Sequence, residues 1–289
     1  MPTSVTRQGN NLPNGNFLPQ VWSKKLNNKY YAQTCLMDIC NSQWEGEIKG
    51  QGSSVLIRNR PTVDVTDYTV NQDIQYQDIL DEMITLNINQ AKSFSFKIDD
   101  IDATQSNIPI MNELTQDAAF QMKIAIDKIV LGSIYSDATN VLPTLTMDKT
   151  NVVDWLIDAA VKMEENNLPE ENRWVVLPPK AGGYLQKSDL KNAAITGDAK
   201  SVMRTGMNNG RLGEIAGLTV YISNNLTRSG TTYQCISGQK SAVTFAAQIV
   251  KVESLRLQTK FGDAVRGLNV FGFKTLIPGG IVSMPAIIT

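Results

Sequence analysis

The stretch that most constrains this chain runs from Phe94 to Ser136. It opens on alternation: Phe94, Phe96 and Ile98 recur at every second residue, with Ser95 and Lys97 between them. That is the period of a half-buried strand. An acidic turn follows, Asp99-Asp100-Ile101-Asp102, and then the spacing predicts a long helix over about 107–136. Leu114, Ala118, Met122, Ala125, Ile126, Ile129 and Val130 fall three and four apart, on one stripe. Gln116, Gln121, Lys123, Asp127 and Lys128 fall largely off it and are expected to face water or a neighbouring subunit. Pro109 suits a first helical turn, where its missing N–H costs little. A strand leading into a helix with a single apolar stripe needs a sheet for that stripe to lie across.

The rest of the composition narrows the function classes. A chain of 289 residues can bury about 75% of its unfolded surface, so core size is not limiting. Net charge is −1, with no basic run to grip nucleic acid. There is no histidine, which removes the commonest general base, the Ser-His and Cys-His pairings and His-containing zinc sites. Cys35, Cys40 and Cys235 are an odd number in a large chain and read as small buried apolar residues, suited to a reducing cytoplasm. The first residues do not read as a signal peptide, and no apolar run is long enough to span a bilayer, so no membrane association is expected.

Taken in order, residues 1–45 begin as an Asn-, Gly- and Pro-rich arm. Trp22, Leu26 and Tyr30 lie four apart and suggest a short helix within it. Residues 46–98 are short β-like runs broken by Gly50, Gly52 and Asn59-Arg60-Pro61, a hairpin too thinly cored to be stable alone. A second helix is expected to start at Asn151 as N-cap, with Asp154 in its first turn. Its apolar side is Leu156, Ile157, Ala160, Val161 and Met163, and Asn166-Asn167-Leu168-Pro169 ends it. Trp174–Leu177 reads as a buried strand, followed by a short helix around Tyr184 and Leu185. Residues 196–210 read as a loop, and strands follow at 218–222, 232–236, 250–257, 268–273 and 281–283. The terminal strands are the expected platform for the long helix, in an α+β architecture with a middle insertion.

No catalytic constellation stands out. Asp99, Asp100 and Asp102 could form a carboxylate metal site or an acid pair, but an acidic turn ahead of a helix N-terminus is the favoured reading. The glycine-rich run Gly206 to Gly213 lacks the lysine of a phosphate-binding loop and follows no strand. No catalytic, cofactor or metal residue is therefore assigned.

Four stretches carry a resemblance. They are Phe94 to Gln105 leading into the helix with Asp127; Asn167-Leu168-Pro169, Arg173 and Val175 to Pro178; Gly213 to Asn224; and Phe261-Gly262-Asp263, Arg266-Gly267-Leu268 and Phe271-Gly272. In this order the sequence resembles a tailed-bacteriophage major capsid protein of the Hong Kong 97-type fold. The resemblance implies an N-terminal arm (1–45), an extended loop (46–98), a peripheral domain (99–148 plus 239–289) with the long helix as its spine, and an axial domain (149–238). It implies a shell of hexamers and pentamers assembled in the host cytoplasm around double-stranded DNA, which it encloses without sequence-specific binding. A portal, possible decoration proteins and, because Met1 leads almost directly into the arm, a separate scaffolding protein are the implied partners. Two alternatives stay open: an encapsulin-like nanocompartment shell, and an enzyme using Asp99, Asp100 and Asp102.

Overall fold

The structure is a computed structural model that describes residues 31–44, 54–58, 83–99, 110–188, 211–258 and 261–288, with isolated positions between 61 and 78. The helix suggested near Trp22 and Tyr30, the turn residues Asp100 and Asp102, Pro109 and the loop 196–210 lie outside the described residues.

Three sheets organise the described residues. The smallest pairs β1 (Ser54–Arg58) with β2 (Met83–Asn87), antiparallel, Ser54 opposite Asn87 and Arg58 opposite Met83. Val55, Ile57, Leu86 and Ile88 from this hairpin base form an apolar cluster with Ala246 and Val270. The hairpin thus gains its support from a second surface within its own subunit.

That surface is a three-stranded antiparallel sheet in the order β11 (Val243–Arg256), β12 (Gly262–Thr275), β3 (Gln90–Asp99). The alternation in β3 is observed: Phe94, Phe96 and Ile98 are half-buried while Ser95, Lys97 and Asp99 are exposed. Runs that look like separate short strands in the sequence are continuous here, with a bulge between Ile249 and Lys251. Gly267 is required by close approach, since a Cβ at that position would stand 2.3 Å from the ring of Phe94 on the neighbouring strand.

The large sheet runs β4 (Asn140–Val141), β13 (Ile281–Ile287), β10 (Thr232–Gln239), β6 (Arg173–Leu177), β8 (Leu218–Ile222), β7 (Arg211–Ile215), with β5 (Leu145–Thr146) on β13 and β9 (Arg228–Ser229) on β10. Here the strand arrangement departs from expectation. β13 does not lie beside β11 and β12. It pairs antiparallel with β10, Cys235 opposite Met284, and so completes the sheet of the middle region. Arg211–Ile215, which begins directly after the stretch 196–210, forms β7. β7 and β8 join through Ala216 and Gly217, both with positive φ (50° and 72°), the two-residue turn that matches strand twist.

Among the described residues four α-helices accompany the sheets: α1 (Leu36–Ile39), α2 (Ile110–Asp137), α3 (Val152–Glu165) and α4 (Pro179–Lys187). The long helix α2 forms as its spacing predicts, and lies against β10 and β13 as well as β3 and β12. Its platform is therefore drawn from two sheets. Burial is concentrated in its second half, at Ile126, Val130, Leu131 and Ile134, whereas Leu114 on the predicted stripe and Phe120 are exposed. Tyr31 packs on the first half, its ring stacked on Phe120 (4.7 Å between centroids) and its hydroxyl donating to Asp117 (2.7 Å).

α3 begins where expected but not by the expected cap. Asn151 turns its side chain backwards: its Nδ2 donates to the Thr146 carbonyl (2.9 Å) and its Oδ1 accepts from the Asp148 N–H (2.7 Å). The buried face is Val152, Trp155, Leu156, Ala159, Ala160 and Met163, so the predicted apolar positions Ile157 and Val161 are exposed instead. The helix stops at Asn167, in the left-handed region (φ 56°), with Leu168 N–H donating to the Met163 carbonyl and Asn167 N–H to the Glu164 carbonyl. β6 then enters the core with all five residues buried. Arg173 can be among them because its guanidinium donates to the carbonyls of Leu168 and Pro169 (2.6 and 2.8 Å) and lies 3.6 Å from the Glu164 carboxylate.

Candidate assembly surfaces and the arm clasp

Among the described residues, those singled out in the sequence do not converge on a reaction centre. Asp99 ends β3, exposed, opposite Gly262. No group of three or more His, Cys, Asp or Glu side chains is placed to hold a metal among the described residues. Cys35, Cys40 and Cys235 are free and buried in the main core, as read from the sequence. Burial pushes all three thiols well above their ordinary range, which makes them poor nucleophiles.

What the chain does present is apolar surface that its own fold leaves uncovered. Val63, Val65, Val70 and Tyr76, between β1 and β2, are 62, 98, 74 and 93% exposed. Val252 and Leu255 on β11, and Phe261 where β11 turns into β12, are exposed too. Scattered exposed apolar residues need no explanation, but a run of them on one extended segment marks an interaction surface.

The three-stranded sheet also carries a shallow groove of about 470 Å³, floored by Phe94, Gly267 and Leu268 and edged by Lys251, Glu253 and Arg266. Glu253 is the centre of that edge. One carboxylate oxygen meets the Lys251 ammonium, and the other accepts from Arg266 Nε (2.8 Å) and Nη2 (2.5 Å). Hydrogen bonds from Lys251 and then Arg266 hold its carboxyl below the usual glutamate range. The result is a polar rim, cation-rich, beside a half-buried aromatic floor.

The least expected group is Asp127. Its position off the apolar stripe predicts a carboxylate facing water or a neighbouring subunit, but it is fully buried within its own chain. Its Oδ1 accepts from the Leu36 N–H of α1 (3.2 Å), and its Oδ2 accepts from Asn225 Nδ2 (2.7 Å) in the loop after β8. Asn225 Nδ2 and Ser223 Oγ both donate to the Gln33 carbonyl (3.1 and 3.4 Å). One carboxylate therefore joins the arm, the long helix and the middle region. The sequence offered one hint of it, an acid within the helix beside buried positions, and no sign of its partners.

Comparison with known proteins places this arrangement in a class. A family model described as phage capsid protein matches residues 82–283. The chain belongs to the phage capsid protein family. Among solved structures, a chain from Mycobacterium phage Che8 is similar, with a TM-score of 0.78 and 29% identity over 93% of this chain and 97% of that one. The capsid of the cyanophage P-SCSP1u gives 0.68 and 16% over 94% of each chain. The capsid of an empty GTA particle gives 0.68 and 13% over 95% of this chain and 97% of that one. No curated protein matches. The fold is the mixed helix-and-strand Hong Kong 97-type fold of phage capsids. The protein is a major capsid protein, a structural subunit of the virion shell that associates with copies of itself. Neither the nanocompartment nor the carboxylate-enzyme alternative is favoured.

Proposed function

We propose that this subunit closes, as hexamers and pentamers, into an icosahedral head shell around double-stranded phage DNA, and that it does so without catalysis. The observation that carries this reading is the uncovered apolar segment between β1 and β2, which a single subunit cannot use. In a closed shell each subunit is held by several neighbours, so individual contacts can be modest. The net charge of −1 suits a container that must not grip its contents.

The domain assignment follows the sequence reading with one change. Residues 1–45 form the arm, 46–98 the extended loop, 99–148 with 239–280 the peripheral domain, and 149–238 the axial domain, to which we add β13 because it pairs with β10. Charge suggests where the loop goes. Residues 59–82 carry Asp64, Asp67, Asp73, Asp78, Asp81 and Glu82 against Arg60 alone. The strands β3, β11 and β12 carry Lys92, Lys97, Lys251, Arg256, Arg266 and Lys274 against Asp99, Glu253 and Asp263. The acidic loop of one subunit is thus complementary to the basic sheet of the next, a pairing that orients neighbours as well as attracting them. A portal, a scaffolding protein and decoration proteins, with assembly in the host cytoplasm, complete the proposal on the strength of the family resemblance.

Negative-stain microscopy of the full chain, expressed alone and then with its neighbouring genes, tests the reading. Closed shells, tubes or capsomer rings are expected. A uniform small monomer under every condition would overturn it.

A further inference from the structure

The clasp at Asp127 has chemistry that shell building does not require. Its carboxyl group is fully buried, and the donors that meet it among the described residues are uncharged: the backbone N–H groups of Leu36 and Cys35 and Asn225 Nδ2. The groups facing it can be named element by element. α1 brings the thiols of Cys35 and Cys40, with Asp38 beyond them. The loop after β8 brings Ser223 and Asn225, neither of which titrates. The helix itself carries Lys123 and Lys128, both exposed. Lys240, after β10, acts on Cys40. Among the described residues no cation forms a salt bridge to Asp127 to offset the cost of taking an ionised carboxylate out of water. The Asn225 carbonyl oxygen is moreover a buried acceptor with no partner among the described residues, adjacent to the amide nitrogen that donates to Asp127.

We propose that Asp127 is a proton-coupled clasp: it fastens the arm segment 31–41 to the helix and the middle region, and fastening it takes up a proton. Desolvation outweighs the donors and pushes this carboxyl above the ordinary aspartate range. The direction follows by linkage. A carboxyl raised in the docked state favours docking below its ordinary range, and loses that contribution as pH rises through the raised value. The arm is therefore held tighter as pH falls towards the ordinary aspartate range and more loosely as pH rises. Its other attachments are the apolar residues Leu36 and Ile39, the Asn41 bridge to Thr244 on β11, and one contact between titratable groups, the Tyr31 hydroxyl donating to the Asp117 carboxylate (2.7 Å). That contact is the same in the natural protein and in Asp127→Asn, so comparing the two isolates the contribution of Asp127.

Hydrogen exchange of the full-length subunit reads this directly. The reporters are the amides of Leu36, Ile39 and Cys40, and the control is β6, the most deeply buried strand. After correction for intrinsic rates, protection of the reporters should rise severalfold in the natural protein as pH falls from neutral into the ordinary aspartate range. In Asp127→Asn, which has no proton to take up, it should stay flat. In Asn225→Ala, which removes one donor to the ionised form, the rise should begin at higher pH. Protection of Val175 and Val176 in each variant shows that the fold is intact. The same pH dependence in the natural protein and in Asp127→Asn would overturn the proposal, as would an arm that loosens on acidification. Both readouts use the unassembled subunit, so they can fail without touching the assembly reading.

Discussion

In the eight-stranded sheet, β6 is buried at every residue and is flanked by β10 and β8, with Trp174 and Leu177 fully enclosed. In the three-stranded sheet, β3 has no fully buried residue, and the β11 to β12 turn exposes Phe261 at 80%. Both regions are regular and antiparallel pairing dominates each. The difference is in what covers them. The first is finished by its own chain, with α2, α3 and α4 packed on it. The second, with the extended segment beside it, has surface left over for other copies. A shell subunit needs both, a body that keeps its shape and a margin that only neighbours complete.

The contrast is sharpest if the finished region is broken. Trp174→Ala removes a side chain that is 2% exposed and packs against Gly238, where a Cβ would meet its ring at 3.0 Å. Truncations of this kind cost about 3–5 kcal/mol. That is a large fraction of the 5–15 kcal/mol that holds a typical domain together. Denaturant unfolding of the subunit should show the loss, and shells should be lost with it.

The opposite substitution leaves the body alone. Val65→Ser combined with Tyr76→Ser changes two side chains that are 98 and 93% exposed. Unfolding of the isolated subunit should move by no more than about 0.5 kcal/mol, as at other surface sites. Assembly, followed by light scattering or microscopy, should fall sharply. If assembly were unaffected, the exposed segment would not be the margin that neighbours complete.

The sequence displayed these regions unequally, for physical reasons. The strand around Phe94 and Phe96 was legible because a half-buried strand writes its burial as alternation. The end of α3 was legible because Asn167 tolerates the left-handed backbone that stops a helix. β13 was misplaced because strand pairing is non-local: nothing near Met284 says that its partner is Cys235. Ile157 and Val161 were apolar and at helical spacing, yet they lie outside the buried face, since spacing defines a stripe without fixing which neighbour covers it. Asp127 was read as facing water or a neighbouring subunit for the same reason. Its two partners lie 91 and 98 residues away, so only the folded chain brings them to it.

The smallest effect is expected at the groove, and its sign is the informative part. Lys251 and Arg266 hold the Glu253 carboxyl below its ordinary range. A carboxyl lowered in the folded state contributes stability that is present above its ordinary value and is lost as pH falls through the lowered one. Exposed pairs of this kind contribute little, because water and salt screen them. Glu253→Gln should therefore barely shift thermal unfolding of the subunit at neutral pH, and should flatten its dependence on pH in the acidic limb. Its effect on assembly should be of opposite sign. Removing the carboxylate leaves Lys251 and Arg266 uncompensated on the sheet, which strengthens the field that an acidic neighbouring loop meets. Faster assembly of Glu253→Gln at low salt, with the difference vanishing at high salt, would tie the groove to that loop. Slower assembly would mean that Glu253 itself makes the contact, and that the basic sheet is not what the acidic segment seeks.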